Sequence, residues 1–385
     1  MQENAKRFSI WLRRLAKGLV CRVILAPYYW ICCRKPVEKG LVVLADGRQE
    51  SLPYSMEALR HALDSVPNIR VAEYFHNYSF CGFAKSLKIM LGFLPLYARA
   101  EYVFLCDSYL PSTCCRKRRG TTLVQMWHSC GLMKMAGQDS PEESRSMLKT
   151  QYRNTDVFTA SSPAVSDVLS RALLVPRENF SEAGVSRMDL MFRDAYQEEM
   201  RRRFFTEYPQ YRGKKIVLWA PTFRGDGQNG YLVGQEAVLS LQAEMTDSCA
   251  ILIKTHRLSN SRQINSPVRF SASQLLPVAD VLITDYSSIY YDYLPLRRPI
   301  ILYVPDYEAY RTHRGLYVDY REIAGFIARD GAQLREALTD LDSWANAAYF
   351  RKLDAMWQTH MAYCDGRSTE KLLTELGILP APEVP

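Results

Sequence analysis

Two histidines sit in loops that follow short aliphatic runs, one in each half of the chain: His128 after Leu123–Trp127 and His256 after Ala250–Ile253. A neutral imidazole, with an unperturbed pKa of ~6.5, can take a proton from an attacking hydroxyl near neutral pH. A second imidazole that donates a hydrogen bond can stabilise charge building on a departing phosphate. Lys254 stands two residues before His256 in the same loop, and two more loops after aliphatic runs carry Thr222 with Arg224, and Thr284-Asp285-Tyr286-Ser287-Ser288. Hydroxyl, ammonium and guanidinium groups are the donors that phosphate oxygens accept from. Together these residues suit attack by an alcohol on a phosphoryl group. Each also has a plainer reading. Ser287 and Ser288 open the run Ile289–Leu294, whose spacing suits a helix, so capping accounts for them equally well. A lone histidine after a strand is most often structural. Asp285 is the one carboxylate placed to meet a divalent cation, and no D-x-D accompanies it. No metal ligand set is assigned, and Mg2+ is the only cofactor the residues leave open.

Holding such loops takes strands. Leu41–Ala45, Ile69–Tyr74, Tyr102–Leu105, Leu123–Trp127 and Val157–Ala160 read as buried parallel strands in the first half. Ile216–Trp219, Ala250–Ile253, Val281–Ile283 and Pro299–Val304 do so in the second. Helical stretches lie between them: Tyr54–Leu63, a helix opened by Ser162-Pro163, a charged helix over Phe192–Phe205, and helices across Gln333–Leu376. This alternation predicts an α/β fold of two doubly wound parallel sheets facing across a cleft, with ligands at the carboxyl ends of the strands. A chain of 385 residues suits two domains of roughly 150–200 residues each. The expected division is a segment 1–36, a first domain 37–205, and a second domain 206–385 that includes closing C-terminal helices.

Apolar content of 48% with 12% aromatics excludes a disordered chain. The net charge of +8 gathers at Arg13, Arg14, Lys17, Arg22, Arg34 and Lys35, and again at Arg116–Arg119. Such patches attract phosphate-rich surfaces, although a solvated loop explains the second cluster equally well. Without an aromatic-interleaved sheet or a recognition helix, nucleic acid is not an expected partner. The ten cysteines form no C-x-x-C pair and are expected to be reduced thiols. No cleavable signal peptide is expected, because no A-x-A-like site follows the apolar stretch near the start. The longest uncharged stretch there, Val23–Cys33, falls short of the ~20 residues that cross a bilayer. Phe8, Leu12, Leu15, Leu19 and Val23 share a helical face opposite Arg13, Arg14 and Lys17, with Trp11, Tyr28, Tyr29 and Trp30 alongside. That pattern predicts a helix lying in the headgroup region of an anionic membrane, with packing on the protein's own core as the alternative.

The motifs W-H-S-x-G-x-x-K, A-P-T-F-R, K-T-H, A-D-V-L-I-T-D-Y-S-S-I-Y-Y-D-Y, R-R-P-I-I-L-Y and Y-x-x-Y-R-x-x-R-G-L-Y-V-D-Y occur in this order. As a set they resemble the CDP-glycerol glycerophosphotransferase family, the enzymes that prime and polymerise teichoic acids and related capsules. The resemblance runs from about Leu41 to Leu376. It implies a GT-B fold and transfer of glycerol phosphate from CDP-glycerol, or ribitol phosphate from CDP-ribitol, to a lipid-linked glycan acceptor, with release of CMP. It also implies a peripheral enzyme at the cytoplasmic face of the membrane. By matching positions, His128 resembles the general base and His256 the residue facing the pyrophosphate. The resemblance puts Thr222, Arg224, Lys254, Asp285, Ser287, Ser288, Arg314 and Gly315 on the donor side, and Lys134, Arg187 and Asp189 on the acceptor side. Two departures stand out. Ser129 replaces the glycine of the family's W-H-G, with Gly131 expected to take over the turn, and Ser186-Arg187-Met188-Asp189 replaces P-R-N-D. The competing readings are a GT-B glycosyltransferase that uses a nucleotide sugar, and a catalytically silent membrane-surface adaptor.

The amphipathic start makes one prediction. Each Lys or Arg near an anionic membrane contributes on the order of 1 kcal/mol to binding, so removing residues 1–36 should abolish flotation with anionic liposomes. Flotation that survives the truncation would assign the segment to core packing.

Overall fold

The structure is a computed structural model in which residues 17–78, 81–141, 150–225, 231–254 and 268–381 are described. The aliphatic runs become two separate parallel sheets, as their burial on both faces requires. The first sheet holds β1 (Glu38–Asp46), β2 (Arg70–Phe75), β3 (Ala100–Leu105), β4 (Thr122–Gln125), β5 (Val157–Thr159) and β6 (Phe180–Ser181). Its order is β2-β1-β3-β4-β5-β6. The second holds β7 (Lys215–Ala220), β8 (Cys249–Ile253), β9 (Val281–Thr284), β10 (Ile300–Tyr303) and β11 (Phe326–Ala328), in the order β11-β10-β9-β7-β8. Every pairing in both sheets is parallel. The two-sheet α/β architecture expected from the sequence is therefore present.

Strand order fixes where ligands can sit. In the first sheet the chain reverses its direction of growth between β1 and β3, and in the second between β7 and β9. At such switch points the loops after adjacent strands run opposite ways and leave a crevice. The loops there begin at Gly47 and Cys106 in one sheet and at Pro221 and Asp285 in the other.

Several elements differ from expectation. β4 ends at Gln125 rather than Trp127, because Trp127 turns to φ +53 and leaves the strand. β6 and β11 are only two and three residues long, too short for a periodic signal. Helix Phe83–Arg99 has no counterpart among the expected elements, although it buries Met90, Phe93, Leu94, Tyr97 and Ala98 at helical spacing. Pro95 within it disguises the pattern, since proline normally interrupts a helix. The last helix, Ser368–Glu375, packs not on the second sheet but on the first: Leu372 and Leu373 join the core around Val42, Leu44 and Met56. Residues closing the chain thus return to the first half.

Of the N-terminal segment, residues 1–16 lie outside the described residues, including Phe8, Trp11, Leu12 and Arg13. From Lys17 to Cys32 the chain is helical, with part of its surface packed on the core and part exposed. Leu25 and Tyr29 are buried, with Tyr29 stacked on Tyr97 at 5.2 Å. Leu19 and Val23 are 65% and 62% exposed, and Trp30 and Ile31 are exposed as well. Among the described residues, no helix is long and apolar enough to cross a membrane. Cys21 is joined to Cys114 by a disulfide, which corrects the expectation that all ten cysteines are reduced thiols. The helix brings their Cα atoms to 5.5 Å, a proximity that a separation of 93 residues conceals. In the basic run, Arg118 donates to the carbonyls of Lys35 and Ala98 and Lys117 pairs with Asp156, while Arg116 and Arg119 stay exposed.

His360 gives the fold a pH dependence. Its ring packs 5.1 Å from Tyr291, its Nδ1 is buried with no partner among the described residues, and burial lowers its pKa to about 4. The unfolded value is ~6.5. Above that pH both states are neutral and His360 contributes nothing. As pH falls from 6.5 towards 4, the unfolded chain binds a proton that the folded chain refuses, so stability drops. Denaturant titrations of His360→Phe should show a flatter stability profile over this window. An unchanged slope would mean that other groups carry the dependence.

Candidate active site

β4 delivers the first histidine by an abrupt turn. Trp127 adopts φ +53 and buries its indole beside Phe158 and Tyr152, at 5.2 Å and 6.5 Å. The following residue is thereby thrown outward, and the His128 side chain is 48% exposed. Gly131 then takes φ +59, and a Cβ there would meet the Tyr291 ring at 2.4 Å, so this glycine makes the turn possible. Its N–H donates to Ser161 Oγ, at 2.9 Å.

The His128 ring is held from one side. Asp107 Oδ1 lies 3.0 Å from His128 Nδ1, on the loop that leaves the neighbouring strand β3. A carboxylate on Nδ1 fixes the tautomer with its proton there, and leaves Nε2 with a lone pair directed away. Asp107 also lies 3.6 Å from Arg48 Nε. On the β1 loop, Asp46 accepts from the N–H groups of Arg48 and Gln49. Asp107 was not among the expected site residues. The signal for it was available, since it stands two residues beyond a recognised strand, but a single aspartate there has no motif.

On the second sheet, β7, β9 and β10 converge on one guanidinium. Arg224 Nε donates to Asp306 at 2.8 Å, its Nη2 reaches Asp285 at 3.1 Å, and its plane lies over the rings of Tyr286 and Tyr310. Those rings stack at 3.9 Å, and Tyr286 OH donates to Asp306. Burial works against the Arg224 charge, but Asp306 and Asp285 outweigh it and raise its pKa. Burial pushes the Asp285 carboxyl up, opposed by Arg224 and Thr222. Asp285 Oδ1 accepts the Thr222 N–H at 2.8 Å, which locks the β7 and β9 loops together. Its two oxygens thus face an N–H and a guanidinium, a poor donor set for Mg2+. Among the described residues no group of three or more His, Cys, Asp or Glu could hold a metal. Asp306 and Tyr310, from outside the expected loops, complete this wall with Tyr286.

The remaining expected residues divide. Ser287 and Ser288 are half-buried after β9, and the Ser287 hydroxyl accepts from Ile289 N–H at 3.4 Å. Lys254 follows β8 and donates to the Val268 carbonyl at 2.6 Å, with burial lowering its pKa. His256 lies outside the described residues. Lys134, Arg314 and Gly315 meet on a seam between the halves. Lys134 bridges to Leu316, Met135 N–H donates to the Gly315 carbonyl at 3.1 Å, and Arg314 donates to Ser140 Oγ at 2.5 Å. Arg187 and Asp189 are drawn inside instead of lining an acceptor surface. Asp189 accepts from the N–H groups of Ser368 and Thr369, at 2.9 Å and 2.7 Å, and so anchors the last helix. Arg187 pairs with Asp292 from the second half and donates to the backbone carbonyl of His128.

That last pair generates a prediction. The Arg187 and Asp292 side chains are 13% and 3% exposed. Removing one partner of such a pair strands a buried charge and costs ~3–5 kcal/mol. Arg187→Met and Asp292→Asn should each lose about that much in denaturant unfolding, and the double variant less than the sum. Single variants with wild-type stability would show that the pair is dispensable.

Comparison with known proteins gives this geometry a lineage. The family model described as CDP-glycerol:poly(glycerophosphate) glycerophosphotransferase matches residues 28–376. A teichoic acid ribitol-phosphate primase of Bacillus spizizenii is 26% identical, covering 94% of this chain and 96% of its own. A teichoic acid poly(glycerol phosphate) polymerase of the same organism is 31% identical, covering 62% of this chain and 65% of its own. The chain spans only 50% of that organism's poly(ribitol-phosphate) polymerase. Among solved structures, the wall teichoic acid polymerase TagF superposes with a TM-score of 0.75 at 19% identity, covering 97% of this chain and 98% of that chain. A UDP-GlcNAc 2-epimerase from Methanocaldococcus jannaschii gives 0.54 at 13% identity, covering 88% of this chain and 99% of that chain. These two likenesses concern the fold, which is GT-B-like. With two parallel α/β domains and a family match over nearly its whole length, the chain belongs to the CDP-glycerol:poly(glycerophosphate) glycerophosphotransferase family.

Proposed function

We propose that this protein transfers an alditol phosphate from a CDP-alditol to a hydroxyl of a lipid-linked, teichoic-acid-like acceptor at the cytoplasmic face of the membrane, releasing CMP. The observation that carries the reading is the Asp107–His128 contact of 3.0 Å at the strand ends of the first sheet. Asp107 holds the Nδ1 proton, so Nε2 takes the proton of the attacking hydroxyl. The acceptor oxygen forms a bond to the alditol-bearing phosphorus, and the pyrophosphate P–O bond to CMP breaks. In this reading the first domain faces the acceptor and the second, from about residue 206, holds the donor. His256, placed by its motif alone, stabilises charge on the departing CMP, with Thr222, Ser287, Ser288 and Lys254 as donor contacts. Arg224 is already held by two carboxylates, so it shapes the nucleotide wall. Arg187 acts as a positioning residue through the His128 carbonyl.

Glycerol phosphate is the unit that the family description names. Ribitol phosphate is the second reading, favoured by similarity to a ribitol-phosphate primase along almost its full length. Mass analysis of products made with CDP-glycerol and CDP-ribitol, offered separately, decides between them.

The mechanism is tested by separating proton transfer from donor binding. His128→Ala should lose ~10²–10⁴ in transfer rate while binding the CDP-alditol nearly normally. Asp107→Asn should also lose transfer rate, again in kcat and not in KM for the donor, because an amide can stabilise the wrong tautomer. His256→Ala should bind the donor worse. Full transfer activity in His128→Ala would end this mechanism.

A further inference from the structure

Outside the cleft, a cavity of about 420 Å³ opens between the N-terminal helical segment and the loop and helix that follow β3. This volume falls within the range of small-ligand sites. Lys17 and Arg22 line it from the N-terminal segment, and Tyr78, Ser108, Leu110 and Arg153 line it from the rest of the first half. No carboxylate is among the described residues that line it, and none of the three cations forms an ion pair with a described residue. Arg153 does donate to the Cys114 carbonyl, at 3.0 Å, which holds its guanidinium at the wall.

Two further features say what such a cavity takes. The segment that supplies Lys17 and Arg22 also carries Leu19 and Val23, more than half exposed, so a cationic recess and an apolar face share one helix. Ser108, on the opposite side, directly follows the aspartate that holds His128. The recess is large enough for a charged head and a few carbons, but not for a long lipid chain. Three cations complement a head of two or three negative charges, and guanidinium groups pair with phosphate oxygens through two hydrogen bonds at once.

We infer that this cavity binds the phosphate or diphosphate head of the lipid that carries the acceptor, with the chain leaving along the exposed Leu19–Val23 face. The inference rests on the proposed function in taking the acceptor to be lipid-linked. Lys17, Arg22 and Arg153 hold the head, the apolar face enters the membrane, and the glycan beyond the head extends past Ser108 towards His128.

The test uses the full chain and reads binding, not transfer, with farnesyl diphosphate as the probe. Farnesyl diphosphate should bind, and farnesol or inorganic pyrophosphate alone should bind at least 10-fold more weakly. Arg22→Glu combined with Arg153→Gln should weaken farnesyl diphosphate at least 10-fold. Gly18 also lines the cavity, and a Cβ built on it meets nothing within 4 Å. Gly18→Trp should therefore fold normally, fill the recess and block the probe, while binding to phosphatidylglycerol vesicles and to CDP-alditol stays unchanged. Probe binding that survives both variants would overturn the inference. So would inorganic pyrophosphate binding as tightly as the probe, or vesicle binding lost together with probe binding in Gly18→Trp, which would mark a general headgroup patch. A chain that binds the probe at this cavity but transfers no alditol phosphate would overturn the proposed function alone.

Discussion

The ion pair between Arg187 and Asp292 is the constraint on which the rest of the structure depends. It joins a loop after the first sheet to the short helix after β9, with both groups almost wholly out of water. The low dielectric that strengthens the pair also makes either charge costly alone, so the two halves are bound to one relative placement. The same guanidinium donates to the His128 carbonyl. The proposed base is thus fixed at its backbone by a residue whose partner belongs to the other half. Tyr291, adjacent to Asp292, fills the space that a side chain at position 131 would need, and its OH donates to the Leu132 carbonyl. The turn that exposes His128 is thus packed directly against the second half.

The two walls of the cleft use charge differently. On the first, Asp107 presents one oxygen to an exposed imidazole, an arrangement that leaves the ring available for proton transfer. On the second, Arg224, Asp285, Asp306 and the stacked Tyr286 and Tyr310 form a satisfied network, in which each charge is met by an opposite one or by an aromatic face. A network satisfied in this way is rigid.

The N-terminal segment has two unlike faces. Its inner face, Leu25 and Tyr29, is part of the first domain's core, so the segment is not a free tether. Its outer face keeps Leu19, Val23, Trp30 and Ile31 exposed, and large apolar side chains in water mark a surface suited to a further contact. The Cys21–Cys114 link ties it to the helix that follows the Asp107 loop.

What the sequence determined by itself was the layer architecture and the positions of the strand-end loops. Continuous aliphatic runs such as Val281–Ile283 can be satisfied only inside a covered parallel sheet, and His128 and Ser287 follow such runs by simple adjacency. Only the tertiary structure decided what those loop residues touch. Arg187 and Asp189 carry the charges expected of acceptor contacts, yet packing turned one into a pin between halves and the other into the anchor of the last helix. Asp107 carries no motif, and its importance comes from standing one strand away from His128 in a sheet whose order adjacency in the chain does not reveal. Helix Phe83–Arg99 stayed illegible because a proline interrupts its pattern, and the Cys21–Cys114 contact because 93 residues intervene. Local periodicity reports which residues are buried. Which buried charge meets which is settled by long-range packing, where desolvation makes pairing obligatory and the partners lie far apart along the chain.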